Sequence, residues 1–194
     1  MAADPNIYAQ DARAMRYSTA AVVIHWLTAA LLLTQVAVGF AFHRLFERGT
    51  PERMELFAWH KTLGVAILIL ALVRLAVRLM RKPPPFPSDY PRVQAAVASW
   101  IHRLLYLMLL LLPLTGLAAV SWRGPEVELM GGLAIPSIPG VTEDGHEFFE
   151  EAHIVLIWVT IAMLVGHVAA ALWHQFVDRG AIAGRMWPFR SGAA

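Results

Sequence analysis

The histidines carry the chemistry of this sequence. There are eight, and there is no cysteine. Seven lie in or beside strongly apolar runs, while His146 falls in a polar stretch. Ionisable side chains in lipid are costly, so histidines placed there are functional candidates. His153 and His167 are 14 residues apart. In a helix that is nearly four turns, so both share one face at an axial separation of about 21 Å. His174 continues the stripe to the edge of its run. His25 lies early in the first apolar run and His60 early in the second, which crosses in the opposite direction. His25 therefore matches the depth of His167, and His60 that of His153. Neutral imidazole is a good axial ligand for haem iron, and iron held by two imidazoles suits electron transfer. The spacing predicts two sites, His25 with His167 on the inner side and His60 with His153 on the outer, each bridging two helices of a bundle.

Other residues fit this plan. Gly39 lies 14 residues after His25, Gly64 one turn after His60, and Gly116 14 residues after His102. Each either clears room for a porphyrin or marks close helix packing. Arg74, 14 residues after His60, reaches the inner level, where a haem propionate is the anion it needs. Arg78, one turn on, either joins it or snorkels to the headgroups. His43 and His146 read as solvated surface residues. His102, at the inner end of the third run, is either structural or part of the inner site. Any one intramembrane histidine can instead satisfy a backbone carbonyl; four at two matched depths make the stronger argument.

The elements that position these side chains are plain. Of the 194 residues, 58% are hydrophobic and 15% charged, against about 25% charged in soluble domains. The formal net charge of +2 argues against a nucleic-acid face. Without cysteine there is no disulfide and no thiolate-held cluster, and a c-type haem cannot be attached. Four runs, 19–42, 57–79, 97–120 (with Pro113 inside) and 152–176, approach the ~20 residues that a ~30 Å hydrocarbon core requires. Backbone groups in lipid must be satisfied within the segment, so the fold class is all-α, a transmembrane four-helix bundle, read as one domain over 1–194. Residues 81–92, rich in proline, form a stiff link, and 121–151 a longer loop. The polar stretch before residue 19 shows no cleavable signal pattern, so the first run is expected to be an uncleaved anchor.

Charge sets the orientation. With both termini and the proline link on one side, that side holds Arg13, Arg16, Arg74, Arg78, Arg81, Lys82, Arg92, Arg103, Arg179, Arg185 and Arg190. The other holds Arg44, Arg48, Arg53, Lys61 and Arg123. The basic side faces the cytoplasm, which predicts a multi-pass protein of a bacterial inner membrane with both termini inside. The acids fall the other way, four inside and ten outside.

The chain also resembles the bacterial cytochrome b561 family over nearly its full length. The matching stretches are RYSTAAVVIHWL around His25, WHKTLG around His60, LVRLAVRL around Arg74 and HRLLYLMLLLLPLTG from His102. AHIVL at His153, GHVAAALWHQF around His167 and His174, and GRMWP near the end complete the set. One departure is Ala152, where members commonly carry Trp. The resemblance implies a four-helix bundle with two haem b groups on His25, His60, His153 and His167. It further implies electron exchange with ubiquinone, with superoxide oxidised on the periplasmic side. The alternative it leaves open is a haem-carrying membrane anchor that passes electrons between a soluble dehydrogenase or hydrogenase and quinone. Nothing in the sequence suggests the broken helices of a transporter.

Superoxide is an anion, so cations near the outer site are candidates to steer it: Lys61 beside His60, and Arg123 at the start of the outer loop. The acidic balance of that side works against them. A quinone needs hydrogen-bond partners near the inner site. His174 and Ser18, beside Arg16 and Tyr17, are the candidates; the plainer reading makes Ser18 a helix N-cap and His174 an interfacial anchor.

Overall fold

The computed structural model describes residues 16–88, 90–178 and 182–187. Arg13, Arg179, Arg190, Asp4, Asp11 and Asp89, used in the charge count, lie outside them. Four long helices dominate: α1 (Thr19–Arg44), α2 (Pro51–Met80), α3 (Arg92–Ser121) and α4 (Glu143–Trp173). Each holds a stretch long and apolar enough to cross a membrane. The first three helices contain the expected spans, and the fourth covers 152–173 of the expected 152–176, the rest falling in the turn that follows; from α2 onward the helices begin one to three turns earlier. Apolar runs mark only the lipid-facing part, whereas polar first turns are helical too. Pro51 opens α2 with Glu52 behind it. Thr142 caps α4 by accepting from the Gly145 N–H at 3.3 Å, and Glu143 and Asp144 complement the positive end of the helix dipole. The α4 chain ends in one π-helical turn, His174–Asp178.

Packing runs in sequence order, α1 on α2, α2 on α3, and α3 on α4. At mid-height Ile67, Ala71 and Leu109 form a buried cluster with Leu31, Leu32 and Leu110 against it. Facing outward, Leu33, Ile69, Leu79, Val97 and Val165 are more than half exposed, as a surface covered by lipid rather than water requires.

The outer connection is more ordered than a loop. Strands β1 (Glu126–Glu128) and β2 (Ala134–Pro136) pair antiparallel, Val127 opposite Ile135. Between them a 3₁₀ turn over Met130–Gly132 reverses the chain, with Gly131 and Gly132 at φ 75° and 76°, a region open to glycine at no steric cost. The hairpin is fastened to the bundle. Val127 and Leu129 are buried, the Met130 N–H donates to Thr62 Oγ1 at 2.8 Å, and the Ile138 N–H donates to Ser121 Oγ at 3.0 Å.

On the inner side the proline-rich link is non-helical, as expected. Residues 182–187 return beneath α1. The Trp26 indole N–H donates to the Met186 carbonyl at 2.8 Å and the Tyr17 N–H to the Arg185 carbonyl at 3.4 Å. Arg185 donates to the Pro85 carbonyl and lies over the Phe86 ring.

Two histidine clusters at two depths

The outer cluster joins α2 and α4. The His60 and His153 rings are 6.3 Å apart, centre to centre, and nearly perpendicular. Two imidazoles on opposite sides of one iron, with metal–nitrogen bonds of about 2 Å, put their centres about 6 Å apart, so the pair suits a shared iron. His153 is held by α3. Its Nδ1–H donates to the Leu112 carbonyl at 2.9 Å, with Thr115 Oγ1 at 3.2 Å, which leaves Nε2 free. Nδ1 of His60 is buried with no partner among the described residues.

Glycines stand where side chains would collide with these rings. A Cβ on Gly116 would come within 3.0 Å of His153 Cε1, and one on Gly39 within 3.3 Å of His60 Cε1. A Cβ on Gly64 would meet only the Gln35 amide, at 3.5 Å. Gln35, which no motif or spacing in the sequence marks, spans α1 and α2: its Nε2–H donates to the His60 carbonyl at 3.0 Å, and Nε2 lies 3.3 Å from His60 Nε2.

The inner cluster joins α1, α3 and α4. His25 lies within electrostatic reach of both His167 and His102. His102 and His167 meet edge to face with centres 5.3 Å apart, and His102 Nδ1–H donates to the Ala98 carbonyl at 2.6 Å. His102 therefore belongs to this cluster, one of the two alternatives its position left open. Arg74 is here as its phase predicts. Its Nη2–H donates to His25 Nδ1 at 2.9 Å and its Nε–H to Tyr106 Oη at 3.2 Å. The guanidinium groups of Arg74 and Arg78 each lie 5.1 Å from the centre of the Tyr106 ring. Tyr17, Arg74, Arg78, Arg81 and Tyr106 line a small cleft below. Among the described residues no three His, Asp or Glu side chains converge as a metal cage.

The remaining candidates sit at the two rims. Lys61 lies over the Phe57 ring at 5.3 Å, with Glu128 of the hairpin and Arg123 in electrostatic reach. Arg123 is exposed, over the Trp122 ring. Ser18 Oγ accepts from the Ala21 N–H at 3.3 Å, so it caps α1. His174 pairs through Nδ1 with Asp178 at 2.9 Å and lies near the Tyr90 ring. Burial and the Asp178 carboxylate push the Tyr90 phenol above its usual pKa. Among the described residues no hydrogen bond joins Ser18 to His174.

The family model described as "Prokaryotic cytochrome b561" matches residues 16–189. "Cytochrome b561 homolog 2" of Escherichia coli K12 is 26% identical over 177 residues, covering 88% of this chain and 90% of that protein. "Probable superoxide oxidase CybB" of Yersinia pestis is 29% identical over 179 residues, 91% of this chain and 98% of its own. "Cytochrome b562" of Cereibacter sphaeroides is 26% identical over 176 residues, 88% and 94%. With four membrane-length helices and a family match over nearly its whole length, the chain belongs to the prokaryotic cytochrome b561 family, multi-pass membrane proteins that bind haem b and transfer electrons.

Proposed function

We propose that this protein holds two haem b groups, oxidises superoxide at the periplasmic face of a bacterial inner membrane and passes the electrons to ubiquinone. The observation that carries the reading is the His60–His153 ring pair at iron-bridging distance, with His167 fourteen residues along α4 from His153 in a second cluster that includes His25 of α1. Haem bound at these pairs supplies one-electron exchange between ferric and ferrous iron. The protein supplies ligands, orientation and access. The His153 bond to the Leu112 carbonyl fixes the tautomer that presents Nε2, the usual role of such a bond beside a metal. At the inner site, a neutral imidazole that coordinates through Nε2 keeps its proton on Nδ1. With that proton in place Arg74 could not donate to His25 Nδ1, and its guanidinium, with that of Arg78, would be available to hold a haem propionate.

Each superoxide loses one electron and leaves as dioxygen; two such events and two protons convert ubiquinone to ubiquinol. Lys61 and Arg123 would draw the anion to the outer site against the pull of Glu128. Ser18 and His174, the latter with Tyr90 and Asp178 beside it, would serve quinone at the inner rim. The name of the Yersinia pestis relative, a probable superoxide oxidase, supports the superoxide half of this reading.

Stopped-flow mixing of superoxide with the oxidised, purified protein tests it. Haem absorbance should shift to the reduced form within the mixing experiment and return on adding ubiquinone. A haem-loaded protein that superoxide leaves oxidised would refute the proposal. Charge-removing substitutions at Lys61 and Arg123 together should slow the reduction several-fold and weaken its dependence on ionic strength; an unchanged rate would remove those residues from the scheme.

A further inference from the structure

The outer histidines are not equivalent. His153 donates its Nδ1–H to a backbone carbonyl, which raises the electron-donating power of a ligating imidazole. His60 has no such bond among the described residues, since its Nδ1 is buried without a partner. The polar group beside it is the Gln35 amide. That amide reaches the His60 carbonyl at 3.0 Å and the His60 Nε2 edge at 3.3 Å, and its own Oε1 is buried and unpartnered.

An amide in the apolar stretch LLLTQVAVGF is expensive to bury half-satisfied. One bond to a backbone carbonyl would account for a tie between α1 and α2. It does not account for an amide nitrogen laid against the Nε2 edge of the imidazole, with Gly64 keeping space open at its side. An amide nitrogen is the positive end of its dipole. In a low-dielectric interior, partial positive charge a few ångströms from a redox centre favours the state with less positive charge.

We propose that Gln35 is a positioning residue for His60 and holds the potential of the outer haem up. The inference rests on the reading of His60 as a haem ligand. Replacing Gln35 by an apolar residue of similar length removes the positive end of the dipole and leaves the ring oriented only by packing. The outer haem should then become harder to reduce, while the inner haem, whose cluster Gln35 does not touch, is unaffected.

The experiment is a spectroscopic redox titration of the full-length, haem-loaded protein, with Gln35→Leu, Gln35→Met and His60→Ala beside wild type. His60→Ala identifies the outer haem as the signal it removes. In both Gln35 variants that signal should shift several-fold toward ferric at fixed poise, where a tenfold shift is 59 mV for one electron, with the other signal and the haem content unchanged. Loss of the outer haem in one variant with a lowered potential in the other also supports the proposal. Unchanged or raised outer potentials in both variants would overturn it and leave the ligand reading intact. Retention of both haems by His60→Ala would overturn the ligand reading and this inference with it.

Discussion

At the scale of single residues, the three glycines offer a graded test of how closely the clusters are packed. Gly116→Ala places a methyl group 3.0 Å from His153 Cε1 and 3.2 Å from Nδ1. Nδ1 is fixed to the α3 backbone, so the ring cannot simply swing away. Overpacking of this kind costs about 1–3 kcal/mol, and the expected result is loss of most of the outer haem, read from absorbance per chain. Gly39→Ala approaches His60 Cε1 at 3.3 Å, and that ring has no anchor on Nδ1, so a partial loss is expected. Gly64→Ala meets only a flexible amide at 3.5 Å. It should be neutral or stabilising by up to about 1 kcal/mol, the helix preference of alanine over glycine. Equal haem content in all three variants would show that the glycines serve helix packing alone. The phase of Gly39 and Gly116 was legible in the sequence because fourteen residues return a helix to the same face. Gln35 was not legible. A single polar residue in an apolar run has no periodicity, and its partner is a backbone carbonyl 25 positions away.

At the scale of elements, the outer hairpin depends on a few long-range bonds. Two strands of three residues have little stability of their own; burial of Val127 and Leu129 and the Met130 bond to Thr62 hold them. Thr62→Val removes the acceptor and leaves a part-buried N–H unsatisfied, a cost of about 1–3 kcal/mol. Faster hydrogen exchange over 126–136, with α3 and α4 unchanged, is the expected readout, and unchanged exchange would show that the apolar contacts suffice. Strands this short give no usable alternation, which is why 121–151 reads from sequence only as a loop. The helices were legible because lipid demands long apolar runs. Their polar first turns were not, because caps such as Thr142 are worth about 1 kcal/mol and leave no hydropathy signal. The place of His102 was likewise open, since phase alone could not tell whether α3 turns that ring toward α4.

At the scale of the whole molecule, half-buried imidazoles from all four helices, His25, His60, His102, His153 and His167, face one another at two depths of the bundle. Such a bundle gains much of its cohesion from what the imidazoles hold. A ligand at a thousand times its dissociation constant stabilises by about 4 kcal/mol. Protein made under haem limitation should therefore unfold at a lower temperature or detergent load, and added haemin should restore the wild-type transition. An identical transition with and without haem would show that the helices pack independently of it.

Both clusters draw a ring from α4, which follows the other three helices in chain order. On the proposed pairing, His60 and His25 therefore wait for residues 153 and 167 respectively, however long the first three helices have been in the bilayer. Haem capture is then a late event in synthesis, outer pair before inner. A chain cut short before residue 153 would carry neither axial pair and no redox-active by-product.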